Sequence, residues 1–378
     1  MGLRVLHCAG YHPNCSAEHQ PIDANPDIAG IGVIVGFLTT TCLAFLTSFA
    51  VLFLQRYGKI VYAWRKHISQ RGHPDDYDAT PYTAKNAWRS AEFWSRVLSK
   101  NLLSISDTQL LTGLAIQFTA MLQHCKLTIY HFQIITELAF LTTVTHLLTV
   151  VTLRDYFVQN KWINLPRIFS MFGNLALLGY TSFVAYSYEL AGLELSSSLA
   201  CFYQGDRPRF KAAFGGRWAA LIVGAIGGHV TIIAAMYMPK NILDWMNESK
   251  KWKGWKWVGT IFRTWIIAPV YAIYGFVMAG YSLGRTQALG KASVEIRGSE
   301  KEWGFGQFLP ILLLALPLFA GWESFWEEKD PNREERFGRP SVATSSNALN
   351  NFEMSPQNKR PGIQGGSSSS RDRSPTGI

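Results

Sequence analysis

The sequence predicts an all-α fold: a polytopic transmembrane helix bundle of seven spans, with the N-terminus outside and the C-terminus inside. Three observations predict it. The chain carries long apolar runs, it is 48% hydrophobic with only 16% charged residues, and its Lys and Arg residues cluster between runs rather than spreading evenly. An unpaired backbone amide is expensive in hydrocarbon, so such runs are read as helices whose hydrogen bonds close internally.

Taken in order, the spans cover about 28–54, 108–124, 128–153, 165–187, 213–237, 260–283 and 307–325. The second is short and interrupted by Gln117. The first eight residues hold only a brief apolar run followed by polar "YHPNCSAEHQPIDANPD", so the first span, and not a cleaved leader, is expected to direct insertion. Residues 1–27 form an extracellular or lumenal segment in this scheme, 28–327 the membrane domain and 328–378 a cytoplasmic tail.

Charge sets the orientation. The 55–106 connection carries nine Lys/Arg residues, with Arg56, Lys59, Arg65 and Lys66 close to the first span, which favours the cytoplasmic side. Seven crossings then leave the 188–212 and 283–306 loops outside. The formal charge of +10 is read as topology and attraction to anionic lipid, and no nucleic-acid partner is expected. "SKKWKGWKW" interleaves Lys with Trp, as a membrane-surface anchor does. Within the 55–106 connection a surface helix is expected around 84–100, lying on the bilayer or recruiting a cytosolic protein. The tail from about 329, rich in Ser, Pro, Asn, Gly and charge, is expected to be disordered.

The third span, "LTIYHFQIITELAFLTTVTHLLTV", places His131, Glu137 and His146 in a segment that otherwise suits lipid. Intramembrane polar groups face a bundle interior or a water-filled cavity, so His131, Glu137, Thr142, His146 and, from the fifth span, His229 are candidates for a ligand site or a polar interior. On an ideal helix His131 and His146 differ by about 60° and stand roughly 22 Å apart, with Glu137 rotated away. They cannot make one metal site alone, and no metal or cofactor is assigned. Asp107, His229 and Arg263 are the partners that other spans could bring. Asp107 and Glu137 are the candidate proton donors for catalysis.

The five cysteines form no closely spaced metal motif. Cys8 and Cys15 precede the first span, and Cys125 and Cys201 fall in external connections. Disulfides Cys8–Cys15 and Cys125–Cys201 are therefore expected in an oxidising compartment, with free thiols as the alternative. Asn14-Cys15-Ser16 is a glycosylation acceptor on the external side, whereas Asn247-Glu248-Ser249 is internal and expected unmodified. Gly215, Gly216, Gly224, Gly227 and Gly228 permit close helix packing, and Pro269, Pro310 and Pro317 permit kinks.

"SDTQLLTGLAIQ" followed by "CKLTIYHFQIITELAFLTTVTHLLT" resembles poorly characterised fungal polytopic membrane proteins, some encoded beside specialised-metabolite genes. The resemblance runs mainly over residues 104–150 and rests on Asp107, Gln109, Thr112, Gly113, Cys125, Tyr130, His131, Thr145 and His146. Phe140 departs from it, since Trp is common there. It implies a fungal integral membrane protein of about seven spans and supplies no reaction.

Three functions follow. The first is a non-catalytic protein of receptor-like architecture, in the plasma membrane or endoplasmic reticulum, that binds a small hydrophobic molecule or supports a pathway protein. The chain lacks "DRY" and "NPxxY" signatures. The second is an integral membrane cyclase or isomerase acting on a terpenoid-like substrate. The third is a small-molecule or ion transporter, for which no coupling motif or inverted repeat is visible. There is no Walker motif, dinucleotide fingerprint, nucleophile elbow or HExxH site.

Overall fold

The computed structural model describes residues 8, 13–15, 19–69, 90–204, 218, 222–237 and 268–329, all within the unit Met1–Arg333. The architecture is helical. A short turn, α1 (Pro26–Ala29), leads into α2 (Ile31–Ser69), and α3 (Ala91–Leu122), α4 (Ile129–Thr152), α5 (Arg154–Gln159) and α6 (Lys161–Ser187) follow. After α7 (Leu199–Gln204), a π-helical turn Ile222–Gly227 runs into α8 (Gly228–Met236). The last elements are α9 (Ala268–Leu283), α10 (Phe305–Leu313) and α11 (Ala315–Lys329). An all-helical chain was expected, but among the described residues Ile22–Asp23 pairs in parallel with Ile296–Arg297, ahead of α10, and Thr128 forms an isolated antiparallel bridge with Ser198.

Helix α4 is the axis. It packs against α2, α3, α6 and α9, and every residue of it except Gln133 is buried. Glycine lets two neighbours come that close. A Cβ on Gly113 of α3 would lie 2.5 Å from Thr142, and one on Gly275 of α9 would lie 2.5 Å from Val144. Neither position has room for a side chain.

Polarity is inverted relative to a water-soluble bundle. The interior holds Thr41, Gln109, Gln117, Glu137, Asn164, Asn174 and His229, all at 2% exposure or less. The perimeter shows Phe49, Phe53, Leu111, Phe118, Trp162, Phe169, Val277, Leu318 and Phe319. A belt of large apolar side chains around a polar interior suits hydrocarbon, where exposed apolar surface costs nothing and polar groups must find partners inside.

Among the described residues, four helical stretches are long and apolar enough to cross a bilayer: Pro26–Arg56, Ile129–Thr152, Lys161–Ser187 and Phe305–Lys329. This supports a polytopic membrane helix bundle with fewer demonstrable spans than the seven expected. Of the other three, the one expected at 108–124 belongs to a helix that is longer and more polar, and those at 213–237 and 260–283 lie partly outside the described residues.

Two boundaries are corrected. The described part of the surface helix expected at 84–100 and the second span are one continuous 32-residue helix, α3, because no proline interrupts 91–122 and Ser90 caps its start by accepting from the Phe93 amide at 3.0 Å. The 55–106 connection is correspondingly shorter, since α2 continues to Ser69. "SKKWKGWKW", Asn247, Arg263 and the tail from residue 330 lie outside the described residues.

Candidate functional site

The start of α4 is built into a clasp. Thr128 caps the helix, and the first amides are met by a neighbouring loop: Ile129 N–H donates to the Ser197 carbonyl at 3.0 Å and Tyr130 N–H to the Leu195 carbonyl at 2.9 Å. Glu300, fully buried, reaches in from the connection before α10. The Tyr130 hydroxyl donates to its Oε2 at 3.1 Å, and His131 Nε2 stands 3.2 Å from Oε1. A carboxylate accepts, so His131 donates from Nε2. The Thr128 hydroxyl, 2.8 Å from Nδ1, then donates to the ring while its lone pair caps the His131 amide. Gln287 Oε1 accepts from the Glu300 amide at 2.7 Å.

Further along α4, Glu137 accepts from the Tyr186 hydroxyl of α6 at 3.1 Å. A turn and more beyond, three helices share one chain of bonds. Thr145 Oγ1 donates to Gln109 Oε1 at 2.6 Å, Gln109 Nε2 to Thr41 Oγ1 at 2.8 Å, and Thr41 Oγ1 to the Phe37 carbonyl at 2.9 Å. His146 Nδ1 lies 3.1 Å from Ser106 Oγ. His229 donates from Nδ1 to the Ala225 carbonyl at 2.6 Å and is an electrostatic neighbour of His146. His146 Nε2 has no hydrogen-bond partner among the described residues, whereas the Thr143 backbone stands beside the His229 ring.

A separate charged group sits between α3 and α6. Arg167 clamps Asp107 through Nε at 2.7 and 3.0 Å and through Nη2 at 2.8 Å, and Nη1 donates to Asn164 at 2.8 Å. Beside it opens a cleft of about 600 Å³, walled by Leu111 of α3 and by Leu309, Leu313 and Leu316 of α10 and α11, with Lys100 also lining it. Asp107 and Arg167 both line this cleft. Apolar walls with a few convergent polar groups are the usual form of a small-molecule site. Of five guanidinium N–H donors, three serve Asp107 and Asn164 and Tyr156 is a further partner, which leaves at most one for an incoming oxygen.

The candidates read from sequence thus fall into distinct settings. His131 belongs to the Glu300 clasp, Glu137 to the contact with α6, and His146 and His229 to the middle of the bundle. Thr142 bonds back to the Leu138 carbonyl at 3.2 Å and presses on Gly113. Asp107, expected as a proton donor, accepts from a guanidinium with both oxygens. Glu300, Arg167, Tyr186 and Ser106 were not singled out. Arg167 carried a signal, being a charge inside an apolar run. Glu300 carried none, since its sequence neighbourhood is ordinary charged loop.

The cysteine pairing is corrected. All four expected residues are bonded, but as Cys8–Cys125 and Cys15–Cys201. Cys8 meets the α3–α4 connection and Cys15 meets the start of α7, so each bonds a distant partner and not its near neighbour. Cys42, in α2, is a free thiol. Asn14 is exposed beside the bonded Cys15.

Over 121 residues the chain is 27% identical to the Elsinochromes biosynthesis cluster protein HP3 of Elsinoe fawcettii, a match that covers 31% of this chain and 42% of that protein. No family model and no solved structure matches the chain.

Proposed function

We propose that this chain is an integral membrane enzyme of a fungal specialised-metabolite pathway, a cyclase or isomerase acting on a lipophilic substrate in the cleft beside Asp107. The observation that carries this reading is an apolar cleft of about 600 Å³ with an arginine–carboxylate pair on its wall. A substrate partitioned in the bilayer would reach such a cleft without crossing water. Arg167 would polarise a substrate oxygen, and Asp107 would take a proton from the adjacent carbon and return it elsewhere. The similarity to a biosynthesis-cluster protein supports the pathway assignment.

The topology that goes with this reading is seven spans with the N-terminus outside, in the plasma membrane or endoplasmic reticulum. It is supported by the bonds that join Cys8 to the α3–α4 connection, Cys15 to the start of α7 and Ile22–Asp23 to the connection before α10, all of which the seven-crossing scheme puts on the outer side. The partners it implies are membrane lipids, a hydrophobic small molecule and other proteins of the pathway.

The test starts from molecules that co-purify with the wild type and are lost from Asp107→Asn and Arg167→Gln. Incubated with proteoliposomes, such a molecule should be converted by the wild type, and Asp107→Asn should slow conversion by about 100-fold or more. Full turnover by Asp107→Asn would overturn the catalytic reading. The engagement of both Asp107 oxygens favours one competitor, a receptor-like protein that binds the same molecule without changing it. Retention of an unaltered ligand would select that competitor.

A further inference from the structure

The end of the bundle that carries the two disulfides holds a third type of group. Cys8 Sγ, Cys125 Sγ and a ring nitrogen of His124 all lie within 4.8 Å of one another. His124 Nδ1 is 2.7 Å from the Met121 carbonyl, and a carbonyl can only accept, so Nδ1 carries the proton. The other ring nitrogen, Nε2, stands 3.3 Å from Cys125 Sγ. Tyr203 packs edge-on to the imidazole, with ring centroids 5.1 Å apart. His124 and Cys8 are each 5% exposed. A cross-link alone requires none of this, and the Cys15–Cys201 disulfide has no such histidine among its described contacts.

We propose that reduction of Cys8–Cys125 converts this group into a Cys2His site for a thiophilic divalent metal, with zinc as the best fit, leaving a fourth position open. Tetrahedral zinc, with bonds of about 2.3 Å to sulfur and 2.0–2.1 Å to nitrogen, spaces its ligand atoms roughly 3.5–3.8 Å apart. His124 Nε2 and Cys125 Sγ already stand near that spacing. Only the two sulfurs must separate, by side-chain rotation. The Nδ1–H to Met121 carbonyl bond is the outer-shell contact that orients a ligating imidazole.

The chemistry balances. A dithiol reductant gives two electrons and two protons to the disulfide and becomes a disulfide itself. The metal then displaces the two thiol protons and bonds both thiolates and the neutral imidazole. The N-terminal segment stays attached to the α3–α4 connection in both states, through sulfur–sulfur in one and sulfur–metal–sulfur in the other.

The test uses the full chain in detergent micelles, in a Cys42→Ser background, with cobalt(II) alone as the probe. After treatment with a phosphine reductant, the protein should bind one equivalent of cobalt(II) and show thiolate-to-cobalt charge-transfer absorption. The oxidised protein should show none. Cys15→Ser/Cys201→Ser should keep the signal, either Cys8→Ser or Cys125→Ser should abolish it, and His124→Ala should weaken binding by at least about tenfold. Circular dichroism reports whether each sample keeps its helices. The proposal is overturned if the reduced, helical protein binds no cobalt(II), if reduction itself melts the helices, or if binding survives Cys8→Ser.

Discussion

Helices α4 and α6 are both long and apolar enough to cross a bilayer, yet their surroundings differ completely. The most apolar stretch of α4 is wholly buried, and half of the corresponding stretch of α6 is. Helix α6 turns Trp162 and Phe169 outward, at 85% and 79% exposure, and keeps Asn164 and Asn174 inside. Helix α4 has no outward face. Hydropathy reports that a helix can leave water, but it does not report what replaces the water. For α6 the answer is partly lipid, for α4 it is other helices, and this is why His131, Glu137 and His146 can reside in α4.

If that contrast is right, polar deletions in α4 should be costly and changes on the outer face of α6 should be cheap. The largest effect is expected at the clasp. His131→Leu leaves a buried Glu300 carboxylate short of a partner and should destabilise the protein by about 3–5 kcal/mol in detergent unfolding. The double variant with Glu300→Leu should recover much of that loss, because removing both partners is far milder than orphaning one.

Glycine substitutions sharpen the comparison. Gly113→Ala pushes a methyl group into Thr142 and should cost about 1–3 kcal/mol, while Gly173→Ala on α6, whose nearest neighbour would be Leu114 at 3.9 Å, should stay within about 0.5 kcal/mol. Paired thermal melts of the two variants measure the difference. Equal losses would mean that α4 is not packed more tightly than α6.

Gln109→Leu removes the amide that joins α2, α3 and α4 and leaves the Thr145 hydroxyl only the longer contacts to the Leu141 carbonyl and Thr41, at 3.4 and 3.5 Å. The expected cost is about 1–2 kcal/mol, read from the denaturation midpoint. The smallest effect belongs to Phe169→Ala, within about 0.5 kcal/mol. A bilayer-dissolved photoreactive probe should label Phe169 strongly and leave Ala139, at 0% exposure, untouched. Labelling of both would place lipid against α4 and remove the distinction.

Much of the candidate chemistry could be read as residue types and little as pairings. Asp107, Gln109, Gly113, Tyr130, His131, Thr145 and His146 all stood out in the sequence, and each makes a specific contact in the bundle. Their partners did not stand out. Glu300 lies 169 residues beyond His131, Arg167 lies 60 beyond Asp107, and Cys8 lies 117 before Cys125. No local period encodes such distances. The surface helix and second span merged into α3 for a related reason: a change in hydropathy along a chain looks like a boundary, although nothing in the backbone stops the helix there.

By itself the sequence determined that the chain is built from long apolar helices, because run length and composition decide whether a backbone can satisfy its hydrogen bonds away from water. It also determined which side chains would be expensive in such surroundings. Only the tertiary structure decided that α4 is the enclosed helix, that the N-terminal cysteines bond across the bundle, and that an arginine and an aspartate meet at the wall of an apolar cleft. Each of these depends on which helix faces which. That choice comes from packing, as with the missing side chain at Gly113, and from long-range polar pairs that form only once the helices are side by side.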